Sequence, residues 1–91
     1  MLLLNVLRAL ASQGNLEEAV PLLKQALEIS KKALGEEHPD VAMDMSNLAG
    51  VLLRQGHTEE AARMGKQALA INEKALGPDH PYTQHTRREW G

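Results

Sequence analysis

Cysteine is absent from the 91 residues. No disulfide can brace the fold, no thiolate can serve as nucleophile or zinc ligand, and the redox compartment stays unmarked. Phenylalanine is absent too, and Trp90 and Tyr82 are the whole aromatic complement. The core must come from 15 Leu, 12 Ala and a few Val, Ile and Met, which pack well between helices and argue against a β-sandwich. Neither sign of charge dominates: 10 Lys and Arg stand against 12 Asp and Glu, so there is no basic field for nucleic acid or an anionic membrane. No apolar run approaches the ~18 residues of a membrane helix. The opening MLLLNVLRALASQG lacks the basic start of a secretory signal and is interrupted by Arg8, so a cytoplasmic protein is expected. A domain this short buries about 60–65% of its unfolded surface, which leaves stability marginal unless it stacks on something.

What the sequence does have is a repeat. Sliding the chain by 42 residues brings 19 of the 49 overlapping positions into identity, among them Asn5 with Asn47, Gln13-Gly14 with Gln55-Gly56, and Lys24-Gln25-Ala26-Leu27 with Lys66-Gln67-Ala68-Leu69. His38-Pro39 aligns with His80-Pro81. The chain is a tandem array, read as unit one over 1–38, unit two over 39–80 and the start of a third over 81–91.

Each unit reads as two helices. Gly14 and Gly56 end the first helix of a unit, and Gly35 and Gly77 end the second. Asn15 with Glu18 forms a capping box for one second helix, whereas His57-Thr58-Glu59-Glu60 offers weaker capping in the other. Leu16, Ala19, Val20, Leu23, Ala26, Leu27 and Leu34 form one apolar stripe. Ala61, Ala62, Ala68, Leu69 and Leu76 repeat it in the second unit. Pro39 and Pro81 suit the first helical position, and Asp40 the first turn after it. Pro21 lies past the first turn of its helix and should cost one backbone hydrogen bond. Five helices are predicted, near 1–13, 16–34, 40–55, 58–76 and 81–89, with antiparallel neighbours.

The residues argue against an enzyme. His38 and His80 stand at equivalent helix starts and read as caps or loop packing. His80 and His85 are five apart, a splayed spacing for a metal, and Asp79 does not complete a site, so no metal or other cofactor is expected. Glu17-Glu18 and Glu59-Glu60 sit in first turns, where carboxylates complement the positive helix end. Ser12, Ser30 and Ser46 belong to no nucleophile motif, and the scattered glycines form no phosphate loop. Lys31-Lys32 and Arg87-Arg88 have no interleaved aromatics to stack bases.

Asn47-Leu48-Ala49, Leu52, Gly56, Ala61 and Ala68 fall where tetratricopeptide repeats place their small and apolar signature residues. The long second helix, closing in Ala-Leu-Gly and followed by Glu37-His38-Pro39 or Asp79-His80-Pro81, resembles the repeats of kinesin light chains and their prokaryotic relatives. Three positions depart from that pattern: Gly65 stands where unit one has the bulky Leu23, Leu7 replaces a small residue, and the third unit stops at Trp90-Gly91. The resemblance implies an all-α, right-handed α-solenoid of two repeats plus a C-terminal capping helix, with peptides bound in its concave groove. The family's groove positions map onto Leu4, Asn5, Arg8 and Ser12, then Met43, Ser46, Asn47, Gly50 and Arg54, then His85 and Arg88. Asn5 and Asn47 then either clamp a peptide backbone or bond a neighbouring helix. Arg8, Arg54 and Arg88 would favour an acidic partner. Of the carboxylate clamp of chaperone-binding relatives only Asn47 matches, with Leu4 and Glu89 where basic or polar donors are expected.

Two functions are therefore expected, an adaptor that holds a partner's peptide and, alternatively, a self-assembling scaffold. The second rests on Leu2, Leu3, Leu7 and Leu10, too wide a set for one inward stripe, whose surplus would meet another copy in a homodimer or larger assembly. Trp90 either docks back on its own chain or anchors such a contact, and Gly65 leaves either room for an incoming side chain or a packing gap.

Overall fold

The computed structural model describes residues 16–91, and among them the chain forms four helices and no strand. They are α1 (Leu16–Leu34), α2 (Pro39–Arg54), α3 (Thr58–Leu76) and α4 (Pro81–Trp90). The predicted boundaries for α1 and α3 coincide with the observed ones, and those of α2 and α4 differ by one residue. The expected helix over 1–13 and the Asn15 cap lie outside the described residues. Each helix packs on the next in chain order, α1 on α2, α2 on α3 and α3 on α4.

The turns explain these boundaries. Gly35, Gly56 and Gly77 hold φ of 91°, 89° and 88°, a left-handed backbone that a Cβ would strain. After Arg54 the His57 amide donates back to the Leu52 carbonyl at 2.9 Å and the Gly56 amide to Leu53 at 3.0 Å, which closes α2. At the next helix start the His38 side chain caps: its Nδ1 accepts from the Asp40 amide at 3.0 Å, with Pro39 at the first helical position. His80 does the same for the Tyr82 amide at 3.1 Å, before Pro81. His57 makes no side-chain cap, in line with the weaker chemistry read at that turn. α1 runs unbroken through Pro21, which is exposed, as is Glu17, the residue whose carbonyl would have taken the amide proton that proline lacks.

α2 lies centrally and supplies most of the buried apolar residues: Val41, Ala42, Met45, Leu48, Ala49, Val51 and Leu52. α1 adds Ala19, Leu23 and Leu27. From α3 come only Ala61 and Ala68, the rest of its buried face being Gly65 and Asn72. α4 buries Thr83 and Thr86. The predicted stripe holds for most of α1, but Leu34 is a correction: it is 45% exposed, because it stands in the last turn beside the exposed loop at 35–37.

The two departures noted at Gly65 and Trp90 turn out to be one feature. A Cβ on Gly65 would fall inside the Trp90 indole, which lies directly over it. In the 42-residue register Gly65 corresponds to Leu23 and Trp90 to Leu48, both of which are buried in the core of the first junction. A large–large pair at one junction has become a small–very large pair at the next. The volume Gly65 gives up is filled from within the chain, so it is neither a gap nor a vacant seat for another molecule. Of the two roles read for Trp90, the structure places it docked back.

Candidate functional site

A groove of about 610 Å³ runs between α2 and α4, with α3 behind it. The α2 wall is built from residues at three- and four-residue steps: Pro39, Met43, Ser46 with Asn47, Gly50 with Val51, and Arg54. The α4 wall presents Tyr82, His85, Thr86 and Glu89, and the single contribution of α3 is Asn72. Six of the residues named from sequence thus meet here: Met43, Ser46, Asn47, Gly50, Arg54 and His85. Asn5, Arg8 and Ser12 lie outside the described residues, as do Leu2, Leu3 and Leu7. Arg88 is exposed but does not line the groove.

Arg88 falls outside the groove for a geometric reason. Shifting by 42 residues carries Met43 onto His85 and Asn47 onto Glu89, which do line the groove, but Ser46 onto Arg88, which does not. A groove between two neighbours turns their facing flanks together. Where α2 uses Ser46 and Gly50, α4 therefore adds Tyr82 and Thr86, the register images of Asp40 and Asp44, to His85 and Glu89. The four fall at i, i+3, i+4 and i+7, a spacing visible in the sequence. Asn72 carried a weaker signal, a polar residue on an otherwise small buried face.

The electrostatics follow. Among the described lining residues Arg54 is a cation and Glu89 an anion, with the Glu89 Oε1 3.0 Å from the His85 Nε2 on the next turn. Of the arginines read as making the groove positive, Arg54 lines it and Arg88 does not, Arg8 lies outside the described residues, and Glu89 offsets Arg54. Apolar surface comes from Met43 and Tyr82, 46% and 56% exposed, together with Pro39 and Val51. Gly50 opens the middle of the α2 wall: a Cβ there would meet no described atom within 4 Å. Asn47 is exposed in the same wall, and its amide has no hydrogen-bond partner among the described residues.

The two walls are joined from behind. The Trp90 indole N–H donates to the Ser46 Oγ at 3.3 Å, tying the end of α4 to α2. Asn72 donates through Nδ2 to the Thr86 Oγ1 at 3.0 Å, the Thr86 hydroxyl donates to the Tyr82 carbonyl at 2.8 Å, and Thr83 donates to the Asn72 carbonyl at 3.2 Å. At the first junction the corresponding pair is Ser30 and Asp44, with the hydroxyl donating to the Asp44 Oδ2 at 2.6 Å. Among the described residues no cluster of three or more His, Asp or Glu could hold a metal ion, and no helix is long and apolar enough to cross a membrane.

Comparison with known proteins agrees with this architecture. The tetratricopeptide repeat family matches residues 2–74. Among solved structures the chain is similar to a Podosopora anserina protein assigned as a kinesin light chain, with nearly identical TPR-like repeats, at a TM-score of 0.82 and 33% identity. A single-substitution variant of that protein gives 0.81 and 33%. Each match covers 92% of this chain and 40% of the other, so the chain spans well under half the length of those relatives. With paired helices, a 42-residue register and repeats like those of kinesin light chains, the chain belongs to the tetratricopeptide repeat family.

Proposed function

We propose that this chain is a non-enzymatic docking module that holds a peptide segment of a partner protein in the groove between α2 and α4. Tetratricopeptide repeats generally mediate protein–protein interaction. The observation that carries the reading here is Asn47, whose exposed amide has no described partner and stands in a wall opened by Gly50. A primary amide can give and take one hydrogen bond each, which matches the alternating N–H and C=O of an extended chain. Met43, Val51 and Tyr82 supply apolar contact, and Arg54 takes a carboxylate on the partner, which among the described residues is what favours an acidic segment.

An array of short peptides probed with the whole chain tests this. Asn47→Ala is expected to weaken captured peptides by the roughly 1–3 kcal/mol of a buried group left unpaired, without loss of helicity. Arg54→Glu should chiefly slow association and flatten its salt dependence. Peptide affinities unchanged in both variants, in a chain that also grows in size with concentration, would overturn the groove and favour self-assembly.

A further inference from the structure

Among the described residues the groove contains one buried polar atom whose hydrogen bonding is unfinished. Asn72 is 5% exposed, and its side-chain Oδ1 is buried without a partner. The orientation of the amide is fixed by its neighbours. The one hydroxyl proton of Thr86 goes to the Tyr82 carbonyl at 2.8 Å, so Thr86 meets Asn72 as an acceptor. Asn72 must therefore donate to it, which turns Oδ1 away from Thr86. Unit one makes the same contact with no buried atom left unpaired, since Ser30 spends its hydroxyl proton on the part-exposed Asp44 carboxylate and brings no second oxygen of its own. Holding the helices together thus does not require an amide at residue 72. The spare acceptor belongs to a residue that lines the groove and is the only part of α3 to do so.

We propose that Asn72 reads the bound peptide: its Oδ1 accepts a hydrogen bond from the side-chain carboxamide of a partner glutamine or asparagine. This rests on the peptide-groove reading above. The donor comes from a side chain because Asn72 lies on the floor behind α2 and α4, whereas a main chain held at Asn47 runs along the wall. The donor is neutral because one buried neutral oxygen does not compensate an ammonium for its lost hydration. The oxygen is sealed from water, so the incoming amide must displace part of the groove lining, in which Met43 and Tyr82 are half exposed.

Nuclear magnetic resonance titration of the whole chain with small probes tests this directly. Propionamide is expected to shift the Asn72 side-chain amide together with Thr86 and Tyr82. N,N-dimethylpropionamide has the same carbonyl and no N–H, and should bind about five- to ten-fold more weakly. Propylammonium should bind no better than the dimethyl amide. Asn72→Ser imports the unit-one residue and should erase the difference between the two amides. Equal response to both amides, preference for the ammonium, or no response to propionamide would each overturn the assignment. If Asn72→Ser does not fold, the two amides on the unaltered chain decide alone. A glutamine-bearing peptide whose affinity falls with Asn47→Ala and stays level with Asn72→Ser removes this subsite and leaves the groove. One that ignores both substitutions removes the groove as well.

Discussion

The indole of Trp90 occupies the space that any side chain at residue 65 would need. Gly65→Leu should therefore expel the ring and loosen α4, at an overpacking cost of about 1–3 kcal/mol. Trp90→Leu alone leaves a void above Gly65 and is also destabilising. The double substitution rebuilds the Leu23–Leu48 combination of the first junction and should recover part of both losses. Urea unfolding followed by circular dichroism measures the cycle, and strictly additive losses would show that the two residues do not share one site.

Gly50 makes the opposite prediction. It sits inside α2, where glycine costs roughly 0.5–1 kcal/mol relative to alanine, and a Cβ there meets no described atom. Gly50→Ala should raise stability by about that amount. Gly50→Phe should keep the fold and reduce peptide capture by filling the groove. A destabilised alanine variant would mean that residue 50 packs more closely than the described atoms indicate.

The two histidine caps lend themselves to a matched pair of substitutions. His80→Ala removes the acceptor for the Tyr82 amide and should cost about 1 kcal/mol, whereas His80→Asn should keep most of it. Hydrogen exchange at the first turn of α4 would reveal the loss locally. Equal protection in the alanine variant would show that the side chain does not cap.

Ser30 and Asp44 join α1 to α2 by a hydrogen bond to a carboxylate. In a double-mutant cycle, Ser30→Ala and Asp44→Ala should couple by roughly 1–2 kcal/mol, since a charged acceptor strengthens the bond and partial exposure weakens it. A coupling near zero would place the pair among surface contacts of no consequence.

The fold was legible because its punctuation is local. Glycines at 35, 56 and 77 and His-Pro pairs at 38–39 and 80–81 act through their own backbone, so helix limits could be read to within a residue. The α2 wall was legible for a similar reason, since one helix face obeys one spacing. The α4 wall was legible only in part: the register found His85, but it also carried Ser46 onto Arg88, which lies outside the groove, and missed Tyr82 and Thr86, which belong to the flank that faces α2. Asn72 was hidden more deeply: its importance lies in an oxygen left over after Thr86 and Tyr82 have settled their own bonds, a sum over three residues. Gly65 and Trp90 were each singled out, yet their partnership emerges only when both are compared with Leu23 and Leu48 at once.

Tandem units this similar face a particular hazard, which is pairing one unit out of step, within a chain or between two chains. A slip of 42 residues aligns chemically similar helices and would be nearly neutral if every junction were alike. The junctions are not alike. Setting α4 against α1 would force Trp90 onto Leu23, and setting α2 against α3 in that mode would leave Leu48 over an unfilled Gly65. One mismatch is too full and the other too empty, so both are penalised and only the native order escapes. The exchange of volume between residues 65 and 90 thus works as a sequence address, telling each helix pair which neighbour is its own.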